Sequence, residues 1–421
     1  MTLMRKPIPV AEAVQRVMQF PRLKEAEAVK LEESTGRVLA QDIYTTHPVP
    51  WFTRSPYDGY AICAASTEQA GEGSPVWLQV LGTVAAGDVW RGCVERGQAV
   101  KIMTGGAMPD GADAVIMREL TREEERDGAL YVQIKRKVKT GENISRIGED
   151  MEEGELLLRQ GTMINAGTVA QLATFGYAEV PVFRKPVVAV IATGSELLDP
   201  SEPLAPGKIR NSNGYMLLSQ VLRSGAEPLY IGKVQDTLGE TLAAVKKALE
   251  QADLVLTTGG VSVGDFDYIP AVYQELGAQP LFNKIGMRPG SVTSAAERNG
   301  KLLFGLSGNP SACYVGFELF ARPVIRAMMG MKRPYSQRVQ AELQEDFTKP
   351  NPFDRFVRGK LSFSGGRLYA APSGKDKSNI VSSLAEANCL IVLPGGTRGW
   401  EAGSMVDVLL LDDQEGTGQW R

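Results

Sequence analysis

Histidine and cysteine are scarce in this chain. Its 421 residues hold one histidine, His47, and four cysteines, Cys63, Cys93, Cys313 and Cys389, with no CxxC pair. A zinc centre built on several histidines is therefore excluded, and general-base chemistry by histidine rests on a single candidate. The wide cysteine spacing indicates neither a zinc site nor a disulfide framework. Charge of one sign is also lacking. The net charge of −3 gives no reason to expect nucleic acid or a membrane surface as partner. No apolar run reaches the ~18 residues of a membrane-spanning helix, and the opening MTLMRKPIPVAEAVQ lacks the apolar core of a secretory signal. A cytoplasmic protein is the expectation. Two phosphate-binding signatures, GxxxxGK[ST] and GxGxxG, are absent too.

What is there is an ordinary globular composition, 43% hydrophobic and 23% charged, in a chain too long for one core, so two to four domains are expected. Val10, Val14, Val17 and Met18 recur at helical spacing. A turn is expected at Ser34-Thr35-Gly36. From His47 to about Lys139 the pattern is short β-type runs, VWLQVLGTV, QAVKIM, ADAVIM and LYVQI, separated by glycine and proline. A further strand, ELLLRQGTMI, and a short helix around Val169–Phe175 follow. At Pro186 the texture changes: VVAVIA, PLYIGKV, LVLTTGG and KLLFGL read as strands, with helices between them and a long apolar helix at SACYVGFELFARPVIRAMMG. Strands alternating with helices predict a parallel, doubly wound sheet. Beyond Pro334 short strands return, which predicts a small β-domain or barrel.

Three strand-to-loop junctions of the α/β part share one form: ATGSEL (192–197), TTGGVSVGDFD (257–267) and GLSGNPSA (305–312). In a doubly wound sheet such loops line the ligand crevice. Gly259, Gly260 and Ser262 in the second, with Ser307, Gly308 and Asn309 in the third, are candidates to surround one phosphorylated ligand. Glycines that only mark tight turns are the plainer alternative. Glu196, Asp236, Asp265 and Asp267 supply carboxylates at or near the same edge. Mg²⁺ takes oxygen ligands and bridges carboxylates to phosphates; the competing reading of each acid is a helix cap. Lys284 and Arg288, before Pro289-Gly290, suit an oxyanion clamp or, equally, a solvated face. In the β-rich half, SPYDGYA holds Asp58, KIMTGGAMPDGADAV holds Thr104, and GENISRIGEDM holds Arg146, Glu149 and Asp150, each run beside an apolar strand that would hold a functional loop rigidly.

Taken together, GRVLAQDI, SPYDGYAI, IMTGGAMPDGADAVIM, GENISRIGED, TGSEL, TTGGVSVGDFDY, MRPG and GLSGNPSA resemble the molybdopterin molybdenumtransferase family, the MoeA and gephyrin E-domain group, along essentially the whole chain. The resemblance implies an α/β plus β fold: a doubly wound molybdopterin-binding α/β domain (186–330), a β-rich inserted domain (47–150), an elongated, discontinuous linking domain (27–46 and 151–185) and a C-terminal β-barrel (331–421). The N-terminal helix (1–26) is expected to pack on the α/β domain. It also implies a homodimer with shared active sites, and insertion of molybdate into adenylylated molybdopterin with Mg²⁺-dependent release of AMP. A transient contact with a molybdopterin adenylyltransferase is a further expectation. The family's functional positions carry over to Asp58, Thr104, Asp150, Glu196, Asp236, Asp267 and Lys284, with Arg358 and Ser378 at C-terminal positions that contact molybdate or the facing subunit.

The chain departs from the family pattern at Arg288-Pro289-Gly290-Ser291, where KPGKP is common, at Ser307, where LPGNP is common, and at Tyr57, where SAMDGYA is common. Arginine keeps the charge with a different donor geometry, and Ser291 drops a cation. Two other functions share parts of the pattern. A CinA-type nucleotide hydrolase has TGSEL-like and TGG-like loops but more often continues GGLGPT where GGVSVG stands here, and lacks the SPYDGYA half. A dimeric scaffold need not keep Asp58, Asp150, Glu196 and Asp267, all of which are present.

Overall fold

The computed structural model describes residues 6–260, 268–350 and 352–411. They fall into two units, one made of Met1–Gln41, Arg159–Ala173 and Tyr177–Arg421, the other of Asp42–Leu158 and Thr174–Gly176.

The first unit is built on a six-stranded sheet. Its order is Glu227–Val234, Val187–Thr193, Leu254–Thr258, Lys301–Leu306, Ser294–Arg298, Gln279–Phe282. The first four strands run parallel. Val187–Thr193 and Leu254–Thr258 open on continuous apolar runs, 187–192 and 254–256, because both faces of the sheet are covered. Val188, Val190, Leu254 and Leu256 enter one core with Leu217, Phe317 and Phe320. Their neighbours Ala189, Ile191 and Val255 enter the opposite core with Val245 and Val272. This alternation places helices on both faces, as a doubly wound sheet requires.

The parallel, doubly wound sheet expected from the sequence is present, and it carries an antiparallel addition at one edge, where Ser294–Arg298 runs against both of its neighbours. The cause is local: Asn299 and Gly300 both take positive φ (53° and 80°), and an Asn-Gly pair of this kind closes a tight hairpin between Ser294–Arg298 and Lys301–Leu306.

The helix Val10–Val17 buries Val10, Ala13, Val14 and Val17, one stripe at i, i+3, i+4, i+7, in the same core as Leu281, Phe282 and Ile285. After the long helix, five strands close on themselves in the order Asp354–Ser364, Arg367–Pro372, Arg338–Leu343, Met405–Leu410, Cys389–Leu393 and back to the first. Met287–Arg288 adds a short parallel pairing to this barrel, with Arg288 opposite Arg355.

The second unit carries its own six-stranded sheet, in the order Ala114–Met117, Gly59–Ile62, Gln98–Ile102, Val76–Val84, Ala129–Ile134, Thr121–Arg126. The stretches expected to form one linking domain are divided between the units. Ala26–Lys30 pairs with Glu179–Phe183 in the first, and Ile43–Tyr44 with Leu156–Leu158 in the second.

Candidate functional site

The parallel strands end level with one another: Ala192 lies opposite Thr258, and Thr258 opposite Leu306. The three glycine-bearing loops therefore leave the sheet side by side. They are packed backbone to backbone, since a Cβ on Gly259 (φ +96°) would come within 2.3 Å of the Thr193 carbonyl oxygen, and one on Gly308 would lie 3.6 Å from the Gly259 Cα. Only glycine fits at 259. Hydroxyls tie the loops further: Thr193 Oγ1 donates to Thr258 O (3.3 Å), and Thr258 Oγ1 to Ser307 O (3.1 Å).

Asn213, in the first turn of the helix Ser212–Arg223, fastens two of the loops. Its Nδ2 donates to Thr258 Oγ1 (2.9 Å) and to Gly308 O (2.8 Å). Asn211 caps the same helix, accepting from Gly214 N at 2.9 Å, and its amide donates to Tyr230 Oη at 2.8 Å. The positive end of this helix thus faces the loops, an arrangement that favours an anion.

Above them lies a crevice of about 680 Å³. Of the residues anticipated from sequence, Glu196, Asp236, Gly259, Gly260, Ser307, Gly308 and Asn309 line it. Asp236 follows the strand Glu227–Val234, and a Cβ on Gly260 would stand 3.4 Å from its Oδ1. Thr193 and Thr258, from two of the loops named in the sequence, also line the crevice, and so do Arg210, Asn211 and Asn213, which were not anticipated. Ser262, Asp265 and Asp267 lie outside the described residues.

One wall of the crevice comes from the barrel. Asn379 and Val381 line it. Ser378 is not part of the lining; its backbone carbonyl accepts from Ser311 N (3.0 Å), while Ser311 Oγ donates to Ile380 O (2.6 Å). Arg358 does not line the crevice. It is 2% exposed, and its guanidinium donates to Asp376 Oδ1 (3.1 Å) and to the carbonyls of Lys375 and Lys377 (3.3 Å each). Arg355 meets the other Asp376 oxygen at 2.6 Å. Burial lowers the Arg358 pKa, partly offset by Asp376. In this structure Arg358 holds the segment that forms the wall. Lys284 and Arg288 are likewise not part of the lining: Lys284 is half-buried and gives its carbonyl to Ile8 N (3.2 Å). Arg288 is exposed beside Pro289 on the strand that meets the barrel, while Val292 farther along the same segment does line the crevice.

The remaining anticipated residues belong to the second unit. Asp58 accepts from both the backbone N and the Oγ1 of Thr104, each at 2.7 Å. Those two bonds, the backbone one first, hold the Asp58 carboxyl below its ordinary pKa. The strip before Asp58 joins the loops that bear Thr104 and Asp150. Ser55 N donates to Gly106 O (3.0 Å), Arg54 N to Ser145 O (3.0 Å), and Asp150 N to Val49 O (2.9 Å). The three runs singled out in the β-rich half are thus parts of one connected surface.

None of the four cysteines lines the crevice. Cys313 and Cys389 are buried, which pushes each thiol up to about 12, far from the thiolate form at neutral pH.

Level strand ends, close-packed glycine loops, a helix start and two acids define an α/β protein with a polar crevice at the carboxyl edge of its sheet, the place where such folds take their ligands. Comparison with known proteins identifies which. Three family descriptions match in order: the MoeA N-terminal region (domain I and II) over 8–176, a probable molybdopterin binding domain over 189–327, and the MoeA C-terminal region (domain IV) over 340–411. The chain is 54% identical to a molybdopterin molybdenumtransferase of Bacillus subtilis over 416 residues, 99% of this chain and 96% of that one. A relative of the same name from Staphylococcus epidermidis is 48% identical, with 97% and 96% covered. A crystal structure of a molybdopterin biosynthesis MoeA protein from Pyrococcus horikoshii is similar with a TM-score of 0.81 at 33% identity, covering 96% of this chain and 100% of that one. The chain belongs to the molybdopterin molybdenumtransferase (MoeA) family.

Proposed function

We propose that the chain inserts molybdate into adenylylated molybdopterin, releasing AMP and yielding the molybdenum cofactor. As a member of its family it is a transferase of molybdenum cofactor biosynthesis. The observation that supports the specific reaction is the crevice, where glycine backbone and a helix start receive anions beside Glu196 and Asp236.

Mg²⁺ fits this donor set. The two carboxylates offer the hard oxygen ligands it takes. Among the described residues no three His, Cys, Asp or Glu side chains are grouped to hold a metal, so the ion would share its coordination with substrate phosphates. When bound, it would polarise the phosphoanhydride and offset charge on the departing AMP. Asp265 and Asp267 are further proposed donors. The loop backbone at Gly259, Gly260 and Gly308 would seat the phosphates, with Ser307 and Asn309 beside them. Lys284, Arg288, Arg358 and Ser378 are proposed to serve molybdate binding, Arg358 by fixing the barrel segment. The Asp58–Thr104 pair and Asp150 are proposed to act in a homodimer whose subunits share their sites, in the cytoplasm, with a transient contact to a molybdopterin adenylyltransferase.

The test is direct. Purified protein with Mg²⁺, molybdate and adenylylated molybdopterin releases AMP; bound substrate without AMP release overturns the proposal. Asp236→Asn lowers turnover by roughly a hundredfold and raises the Mg²⁺ concentration needed for half-maximal rate. An unchanged Mg²⁺ dependence in that variant removes Asp236 from the metal site.

A further inference from the structure

A separate cavity of about 510 Å³ lies between the segment 159–165 and the link 331–333, which carries the chain from the long helix towards the barrel. None of its lining residues belongs to the crevice. Arg159, Lys332 and Arg333 bring three cations to the lining, and no acid is part of it. Elsewhere the chain pairs such charges: Arg37 meets Glu27, Arg184 meets Asp253 (3.2 Å) and Arg338 meets Asp407 (2.9 Å). Among the described residues Arg159 and Lys332 form no ion pair. Like charges around one space repel one another, and an anion held between them removes that repulsion.

The backbone of both walls is fixed. On one side Gly161 N donates to Leu39 O (2.8 Å), Leu39 N to Thr162 O (2.9 Å) and Ile164 N to Arg37 O (2.9 Å). On the other, the carbonyls ending the long helix are taken: Arg326 O by Met331 N (3.1 Å), Ala327 O by Gly330 N (3.0 Å) and Met328 O by Lys24 N (3.0 Å). That helix end therefore presents little negative charge. The walls meet at Gly161 (φ +85°), where a Cβ would stand 2.9 Å from Gly330 O and 3.3 Å from Lys332 Cγ. The lysine stem thus lies against the facing segment. Met163 and Met331, both half-buried, supply an adaptable apolar part of the lining.

We propose that this cavity is a second ligand site, separate from the crevice, which takes a small organic phosphate carrying two or more negative charges. Three cations call for more than one negative charge. The methionines, and a volume within the range of small-molecule sites, call for a body larger than inorganic phosphate. The inference goes beyond the functional reading above, which uses none of these residues.

Calorimetric titration of the full chain at low ionic strength, with ADP and separately with inorganic phosphate, reads the result. The wild type is expected to show an ADP-binding component that Arg159→Gln and Lys332→Gln each weaken about fivefold or more at an unchanged melting temperature. Lys332→Arg keeps the charge and should keep that component, as should Arg210→Gln, which alters a cation of the crevice lining. ADP binding that only Arg210→Gln weakens would place the anion in the crevice alone and overturn the proposal. Absence of ADP binding at millimolar concentration overturns it as well, and so does an equal loss in Lys332→Arg and Lys332→Gln, which would mark a structural role. Equal affinities for ADP and inorganic phosphate would overturn the organic class of the ligand. AMP release from adenylylated molybdopterin, measured without ADP, should be the same in the two glutamine variants at 159 and 332 as in the wild type. Its absence from all of them would count against the functional reading and leave the cavity's assignment standing.

Discussion

Gly259 carries more of the site than either acid, because its lack of a side chain lets two loops meet. Its φ of +96° disfavours any L side chain, and a Cβ would stand 2.3 Å from the Thr193 carbonyl. Gly259→Ala is therefore expected to cost about 1–3 kcal/mol of stability and to weaken ligand binding, as read by urea unfolding and titration. Gly239 is the matched control: it lies in the helix Leu238–Gln251, and its Cβ would meet nothing within 4 Å. Gly239→Ala should stabilise by about 0.5–1 kcal/mol. The glycine loops, Glu196 and Asp236 were legible because a polar, glycine-marked run after an apolar strand has a fixed meaning in an α/β sheet. Asn213 was not. In sequence it is one polar residue near a helix start, and its bonds to Thr258 and Gly308 span 45 and 95 residues. Arg358 entered the site through the resemblance alone, and its bonds to Asp376 and the carbonyls around it were not legible, because those partners lie 17 to 19 residues away in a segment with no marked pattern.

Elements are fixed at their ends as firmly as in their cores, and Asp253 does this for the central strand. It accepts from Lys24 Nζ (2.7 Å), Val187 N (2.8 Å) and Arg184 (3.2 Å), so one carboxylate joins two adjacent strands to a preceding segment. Burial raises its pKa, but Lys24 and the Val187 N–H outweigh that and hold it below the ordinary value. With the folded pKa depressed, the stabilisation is fully present above the unfolded value near 4 and is lost as pH falls through the folded one. Asp253→Asn is expected to cost about 2 kcal/mol at pH 7. Urea midpoints of wild type and variant should then converge as pH is lowered from 5 towards 2; a constant gap would show that the charge contributes nothing. Apolar strands such as Leu254–Thr258 were legible from their continuity. Two others escaped notice. Ser294–Arg298 is short, and the Asn-Gly turn that defines it lies at its end. Thr121–Arg126 reads TREEER, which no apolar pattern reveals. It is an edge strand fixed by the Asp127-Gly128 turn (φ 49° and 76°) and its partner Ala129–Ile134.

At the scale of the molecule, the β-rich unit is stabilised from within. Tyr60, Ile62, Leu78, Ile116, Val132 and Ile134 form one of its cores. Ala61, Val84, Val100, Ile102 and Val115 form another on the opposite face of the same strands. A sheet covered on both faces by its own residues has what a domain needs to fold alone. Its existence was legible from the short β runs between His47 and Lys139. The return of the chain at Thr174–Gly176, where Phe175 packs 5.3 Å from the His47 ring, was not, because nothing local in those residues marks them as part of the insert. A fragment spanning 42–158 lacks only that return, which closes one end and leaves both cores intact. It is expected to unfold cooperatively in urea, less stably than the same unit in the whole chain. The Asp58–Thr104 contact lies wholly within the fragment and gives a second readout. Asp58 should titrate below the ordinary aspartate range there, by carbon-detected NMR, because the Thr104 N–H and Oγ1 still reach it. Thr104→Ala removes only the hydroxyl, so the Asp58 pKa should rise part of the way and stop where the backbone bond holds it. Cooperative unfolding with an ordinary Asp58 pKa would mean that the sheet folds alone but its loops do not. Loss of cooperativity would mean that the two cores depend on the rest of the chain.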